Sequence, residues 1–278
     1  MVWFKFARRY MFSPKSHSVI NIISMVSVIA VAIPTAAMII LLAMFGGISK
    51  TIDTLYESVD ADIEIIASRG QTFHEKAINI DELLSMEGIK HCAPYLEQSI
   101  VATTAQHRTT LTLRGIDSTY HSVLPVSNFV HRGSVNNLTE GKVVLGTAAA
   151  YTLGAQSIGY PIELYALNRR QLSSLLPTSG FSCKRAEVAG IVSINSEIDA
   201  ELALAELSFT QSLLNYPGRI SSIAIRLDEG YKPEAVQQHL RAILSEEFTI
   251  RTRDEKNASM YALIRLERFA IILIGSFI

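Results

Sequence analysis

Between Lys15 and Lys50 the chain carries no Asp, Glu, Lys or Arg, and residues 19–45 read VINIISMVSVIAVAIPTAAMIILLAMF. A helix needs about 20 apolar residues at 1.5 Å each to cross a hydrocarbon core, so this run spans one with length to spare for tilt. The competing reading is a secretory leader, with residues 19–33 as its apolar region and Thr35-Ala36-Ala37 as the cleavage site. The run greatly exceeds the roughly 7 to 15 apolar residues of such a leader. Pro34 removes one backbone donor near the middle of the span and predicts a kink there.

Charge then sets an orientation. Lys5, Arg8, Arg9 and Lys15 precede the span, and no acid appears before Asp53. The positive-inside rule therefore puts the N-terminus in the cytoplasm and everything after Lys50 outside it. In residues 1–12, Trp3, Phe6, Ala7 and Tyr10 recur at helical spacing while Lys5, Arg8 and Arg9 fall largely on the other side. That pattern suits either a helix lying among the headgroups or a basic flank whose only role is orientation.

Only 18% of the 278 residues are charged and 49% are apolar, which excludes a disordered chain. A formal charge of −1 gives no whole-chain attraction to nucleic acid. At the other end, residues 269–278 (FAIILIGSFI) are apolar but too few to cross a bilayer. They read either as a short helix packed on the domain or, given Arg265, Glu267 and Arg268 as an interface flank, as the start of a second span cut short.

About 210 residues lie between, enough for a proper core. A buried strand is expected at residues 62–68. A helix follows, with Asn79 and Glu82 as its capping box and Gly88 after its end. Strands near 95–104 and 109–116 form a hairpin. After a long insertion, the order resumes with a strand at 219–227, a helix from Pro233 to Phe248 and a strand near 249–252. This is an α+β order, a ferredoxin-like split βαβ core with helices on one sheet face. The insertion, about 117–217, holds Val143-Val144-Leu145, a helix ended by Leu153-Gly154, and strands near 161–167 and 187–193, which predicts a smaller β-rich lobe. The expected boundaries are an interfacial segment at 1–16, the span at 17–48, the outer domain at 49–264 and the second span from 265 to 278.

Ile52, Leu55, Tyr56 and Val59 continue an apolar stripe after the first span, and Met260, Leu263 and Ile264 begin one before the second. Such stripes fit helices that pair into a stalk, and equally fit ordinary helix ends packed beneath the domain. None of the seven histidines stands four residues from another, no Cys-x-x-Cys occurs, and neither a Gly-x-Ser-x-Gly elbow nor a phosphate loop is present. Metal binding, catalysis and ATP binding therefore have no motif in this chain. Cys92 and Cys183 fall on the core and the insertion, where a bridge would tie the two together, but spacing gives no warrant for pairing. Arg114, Asp117, Arg226, Asp228, Arg251 and Asp254 are expected to be solvated strand edges.

Several segments carry a resemblance: ARRYMFSPKSHSVINIIS, TLYESVDADIEI, VVLGTAAAYTLG, AGIVSINSEIDAELALAELSFTQSLLNY and YALIRLERFAIILIGSF. In this order they resemble the N-terminal part of ABC-transporter permeases of the lipoprotein-releasing LolC/LolE type, within the wider MacB/FtsX group. The resemblance implies a permease subunit that is not itself an enzyme. A separate ATPase would bind ATP and Mg, a second permease copy or paralogue would complete the assembly, and movement would pass up stalk helices by mechanotransmission. It further implies a lipoprotein or lipid-like substrate, an acyl-chain cavity beside Ile29, Ile33, Pro34, Met38, Leu41 and Phe45, and a periplasmic carrier. Alternatives within the group are MacB-like efflux and an FtsX-like regulatory scaffold. Two departures stand out: Phe45-Gly46-Gly47-Ile48 where an Asn-Gly-Phe-type turn is expected, and Tyr160-Pro161 where Gly-Asp is common.

Overall fold

The computed structural model describes residue 3 and residues 19–136, 138–167 and 180–276. The chain divides into two compact units, Met1–Thr54 with Asn257–Ile278, and Leu55–Lys256.

Helix α1 (Val19–Val59) begins in the first unit and ends in the second, taking in the uncharged run and continuing beyond it for 41 residues in all. At 1.5 Å per residue that is about 60 Å, roughly twice a hydrocarbon core. The stretch Ile22–Ile48 is long and apolar enough to cross a membrane. Two of its hydroxyls are satisfied within the helix: Ser27 donates to the Ile23 carbonyl at 2.9 Å and Thr35 to the Val31 carbonyl at 2.7 Å. The C-terminal helix, Ala258–Ser276, belongs to the first unit. The Met38 thioether lies against Gly275, where a Cβ would overlap it. A small residue is what allows that close approach between the two helices.

The elements of the second unit, in chain order, are β1 (Ile63–Ala67), β2 (Phe73–His74), α2 (Ile80–Leu84), β3 (Ile89–Thr103), β4 (Arg108–Ile116), α3 (Tyr120–Val123), β5 (Val130–Gly133), β6 (Lys142–Gly146), α4 (Thr147–Thr152), β7 (Pro161–Leu167), β8 (Phe181–Val192), α5 (Ser196–Glu201), β9 (Leu202–Glu206), α6 (Leu207–Leu214), β10 (Arg219–Ile220), β11 (Ser222–Leu227), α7 (Pro233–Ile243), β12 (Phe248–Thr252) and α8 (Arg253–Lys256); the C-terminal helix is α9. This is an α+β arrangement led by an apolar helix.

Strands β12, β1, β11 and β3 lie side by side, each antiparallel to its neighbour. Helices α2 and α7 supply Leu83, Val236 and Leu240 to one face, where they meet Ile63, Ile65, Ile223, Ile225 and Ile250. Asn79 caps α2 by accepting from the Asp81 amide at 3.1 Å. Gly88 has φ +88, and a Cβ there would also stand 2.6 Å from the Tyr231 ring. Helix α7 stops at Ile243, short of the expected Phe248, because Phe248 opens β12 opposite Ala67 and packs edge-on against Phe73.

The insertion builds onto the hairpin rather than apart from it. Strand β9 pairs with β4 in parallel and with β6 antiparallel, β6 pairs with β8, β8 with β7, and β7 returns to β3. Together with the β3–β4 ladder, these six strands close on themselves. Alternate residues fill the interior, among them Ile100, Leu111, Leu113, Leu145, Ile162, Leu164, Val188 and Ala203. Helix α6 plugs the cluster with Phe209, Leu213 and Leu214.

Candidate functional site

Asp60 and Asp62, which lead into β1, and Glu64 within it alternate along the chain and meet cations from later in the unit. Lys256, the last residue of α8, donates to Asp60 at 2.8 Å and to Glu64 at 2.7 Å. Asp62 receives Arg226 at 3.1 Å, the Leu227 amide at 2.9 Å, and Arg253. The Tyr95 hydroxyl donates to Glu64 at 2.9 Å, and Arg114 holds Glu97 at 2.5 Å and Tyr120 at 2.7 Å. In sequence, Asp60 directly follows α1 and Lys256 stands two residues before α9. The network thus ties residues near the start of the second unit to residues near its end, and we call it the clamp.

Two residues expected at solvated strand edges are otherwise: the side chains of Arg114 and Arg226 are only 16% and 17% exposed. Isolated charges seldom tolerate such burial, and here each guanidinium finds a carboxylate. Asp117 instead turns the chain into α3, accepting from the Thr119 amide at 3.0 Å. Asp228 and Asp254 are exposed, and Arg251 is half-buried. The clamp was missed because its members are spread over the whole unit and form no local motif. The one sequence signal is the alternation Asp-x-Asp-x-Glu at 60–64, acids on one face of a strand that otherwise reads as buried.

Burial alone would raise Glu97, but Arg114 more than offsets it and holds the carboxyl below its ordinary range. Burial alone would lower Lys256, but Glu64 and then Asp60 overcome it and raise the ammonium above its ordinary value. Burial of the His121 ring lowers that group. The stabilisation from Glu97 is present above its ordinary value of 4.5 and is lost as pH falls through its folded value. That from Lys256 is complete below 10.5 and is lost as pH rises through its folded value. Half-buried His121, held neutral, adds a loss on the acid side, below 6.5. The Cys92 thiol, raised by burial from 9.0 to about 12, adds a loss on the alkaline side as pH rises past 9.0. Urea midpoints of the chain are therefore expected to be flat from about pH 7 to 8.5 and to fall on either side. A loss centred near pH 8 would contradict this assignment.

The other expected positions are less gathered. Ile29, Ile33 and Leu41 are exposed on α1, at 44%, 64% and 42%, while Pro34, Met38 and Phe45 are half-buried. The structure therefore places this set on one helix without forming an enclosed cavity from it among the described residues. Ile52, Leu55, Tyr56 and Val59 continue the helical backbone of α1, and Met260, Leu263 and Ile264 lie in α9; their side chains are outside the described set. Trp3 is exposed, and Lys5, Arg8, Arg9 and Lys15 lie outside the described residues. Cys92 is buried and its thiol is pushed up to about 12 by that burial, whereas Cys183 is exposed; the two are unbridged. Among the described residues no group of three or more His, Cys, Asp or Glu is placed to hold a metal ion.

A helix with a stretch long and apolar enough to cross a membrane thus leads an α+β unit whose residues near the start and at the end are joined by ion pairs. The chain belongs to the MacB-like periplasmic core domain family, whose model matches residues 24–243. It is 22% identical over 231 residues to the lipoprotein-releasing system transmembrane protein LolE of Haemophilus influenzae, covering 80% of this chain and 54% of that protein. It is also 22% identical over 273 residues to LolC of Neisseria meningitidis, covering 96% of this chain and 64% of the relative. The chain thus spans between half and two-thirds of the length of these relatives. Its fold is similar to the periplasmic region of MacB from Actinobacillus actinomycetemcomitans, with a TM-score of 0.50 and 15% identity over 72% of this chain and 92% of that one.

Proposed function

We propose that this chain is the N-terminal part of an ABC-transporter permease of the mechanotransmission type, one that extracts lipoproteins from the inner membrane for handover to a periplasmic carrier. The observation that carries the reading is the similarity to LolC, which runs over 96% of this chain, through the apolar helix as well as the outer domain. ATP and Mg would be bound by a separate ATPase, and a second permease copy or paralogue would complete the membrane assembly. The N-terminus lies in the cytoplasm and the second unit in the periplasm.

The chain's own geometry suggests how work reaches the cargo. Each acyl CH₂ held in lipid is worth about 0.8 kcal/mol, so extraction needs an external supply of energy. A helix that runs unbroken from Val19 to Val59 is a stiff strut, and Asp60 and Lys256 tie its end to the chain entering α9. Movement of either helix then reaches the sheet through one short, buried set of ion pairs. Ile29, Ile33, Pro34, Met38, Leu41 and Phe45 offer the apolar surface along which lipid tails would rest.

Depletion of the full-length protein tests the cargo. Lipoproteins retained in the inner membrane support the reading. Failed cell separation with normal lipoprotein sorting would favour a regulatory scaffold, and drug or toxin sensitivity alone would favour efflux. Purification of the full-length protein with no associated ATPase would remove the transporter reading altogether.

A further inference from the structure

Strand β12 ends the sheet, so one of its two edges has no neighbouring strand. The Arg253 amide donates to the Asp62 carbonyl at 3.1 Å, and the Ser68 amide to the Glu247 carbonyl at 2.8 Å. In an antiparallel ladder this makes 247, 249, 251 and 253 the residues that bond to β1. The backbone groups of Phe248, Ile250 and Thr252 therefore point away from the sheet. Such a row ordinarily accepts another strand. Here other groups occupy it. Gln237 of α7, a residue only 4% exposed, donates from Nε2 to the Ile250 carbonyl at 2.9 Å and to Glu255 Oε2 at 2.6 Å. Arg241, one turn further along α7, donates to the same carbonyl at 3.2 Å and stands 3.6 Å from Glu255 Oε1. Glu255 in turn accepts from the Thr252 amide at 3.1 Å, and the Phe248 amide donates to the Ser245 carbonyl at 3.1 Å.

We propose that Gln237, Arg241 and Glu255 guard a self-complementary edge, and that their release lets β12 pair antiparallel with β12 of a second copy of this chain. Pairing centred on Ile250 sets Ile250 opposite itself and Phe248 opposite Thr252. These are the residues whose N–H and C=O groups face outward, so each pair exchanges two hydrogen bonds across a two-fold axis. The sequence FTIRT is mostly β-branched and aromatic, and Arg251 meets Thr249 rather than another arginine, so no like charges face each other. Gln237 is the centre of the guard. Both of its partners, a carbonyl and a carboxylate, are acceptors, and a primary amide has two hydrogens on one nitrogen to meet them. Leucine there would fill similar space and leave the Ile250 carbonyl to Arg241 alone. This inference does not depend on the transport reading.

The test uses the full 278-residue chain in detergent micelles, with a fluorescent peptide of residues 247–253, EFTIRTR, standing in for the second copy. Binding is read by anisotropy, and melting temperature checks that each variant is folded. Gln237→Leu should bind the peptide about tenfold or more tightly than the parent does. N-methylation of the peptide at Phe248, Ile250 and Thr252 should abolish that gain, whereas N-methylation at Thr249 and Arg251 should leave it, because only the first set faces the guarded edge. Glu255→Ala changes a side chain 47% exposed, so it uncovers the Thr252 amide without emptying the core. It should show the same methylation pattern with a gain of about threefold, and it decides the matter if Gln237→Leu does not fold. Binding by the folded variants no tighter than by the parent, or a gain indifferent to which amides are methylated, would each overturn the proposal.

Discussion

Lys256→Met lowers the stability of the second unit by about 3 kcal/mol, the lower end of what breaking a buried ion pair costs, because the lysine side chain keeps 25% of its exposure. The methionine replaces the stem but not the ammonium. Asp60 and Glu64 then stand within the sheet with their shared cation gone, and their side chains are only 11% and 6% exposed. For a domain of this size the melting temperature should fall by roughly 6–12 °C. Neutralising one acid as well, in Lys256→Met/Glu64→Gln, should recover part of the loss, since the two changes share a partner and do not add. A single variant melting within about 2 °C of the parent would mean that the clamp contributes little. Under the proposed function, the same variant in the full-length protein hydrolyses ATP with its partner but releases less cargo.

Gly146→Ala is the second large effect. Gly146 ends β6 and precedes α4, with an ordinary φ of −65, so conformational freedom is not why a glycine stands there. The reason is approach: a Cβ would overlap the carbonyl of Asp199 and stand 2.5 Å from its Cα. The obstacle is backbone and cannot rotate away. Asp199 is itself fixed, 4% exposed, and accepts from the Ile194 amide at 2.9 Å. Overpacking of this kind costs about 1–3 kcal/mol, and the upper end is expected here. Gly47→Ala is the control, since it meets nothing within 4 Å in a helical segment. Thermal melting of the two variants side by side checks the contrast. Equal melting temperatures would show that α4 and α5 can separate at little cost.

Much of the fold was legible because it is written locally. The uncharged run between Lys15 and Lys50 became α1, Pro233 opened α7 at its first turn, and the alternation at 109–116 became β4. What escaped was written at long range. Strand β3 begins at Ile89, six residues before the expected Tyr95, and runs through Pro94, a residue usually kept out of strand interiors. Pro94 is tolerated because it pairs with β11 on one side only; the ladder to β4 starts at Tyr95. Strand β9 has the sequence LALAE, composed of good helix formers, yet it lies flat between β4 and β6. Tertiary pairing overrides its propensity. The clamp escaped for the same reason, since Asp62 and Arg253 are 191 residues apart.

The account rests on α1 holding the second unit outside the inner membrane, and the chain carries its own reporter of this. Cys183 is exposed on β8, whereas Cys92 is buried with its thiol pushed up to about 12 and should stay silent until the domain unfolds. Intact spheroplasts expressing the chain are treated with a membrane-impermeant maleimide, with and without prior permeabilisation. The account predicts full labelling of Cys183 in the intact spheroplasts. Protection of Cys183 until the membrane is permeabilised would place the domain in the cytosol and contradict it.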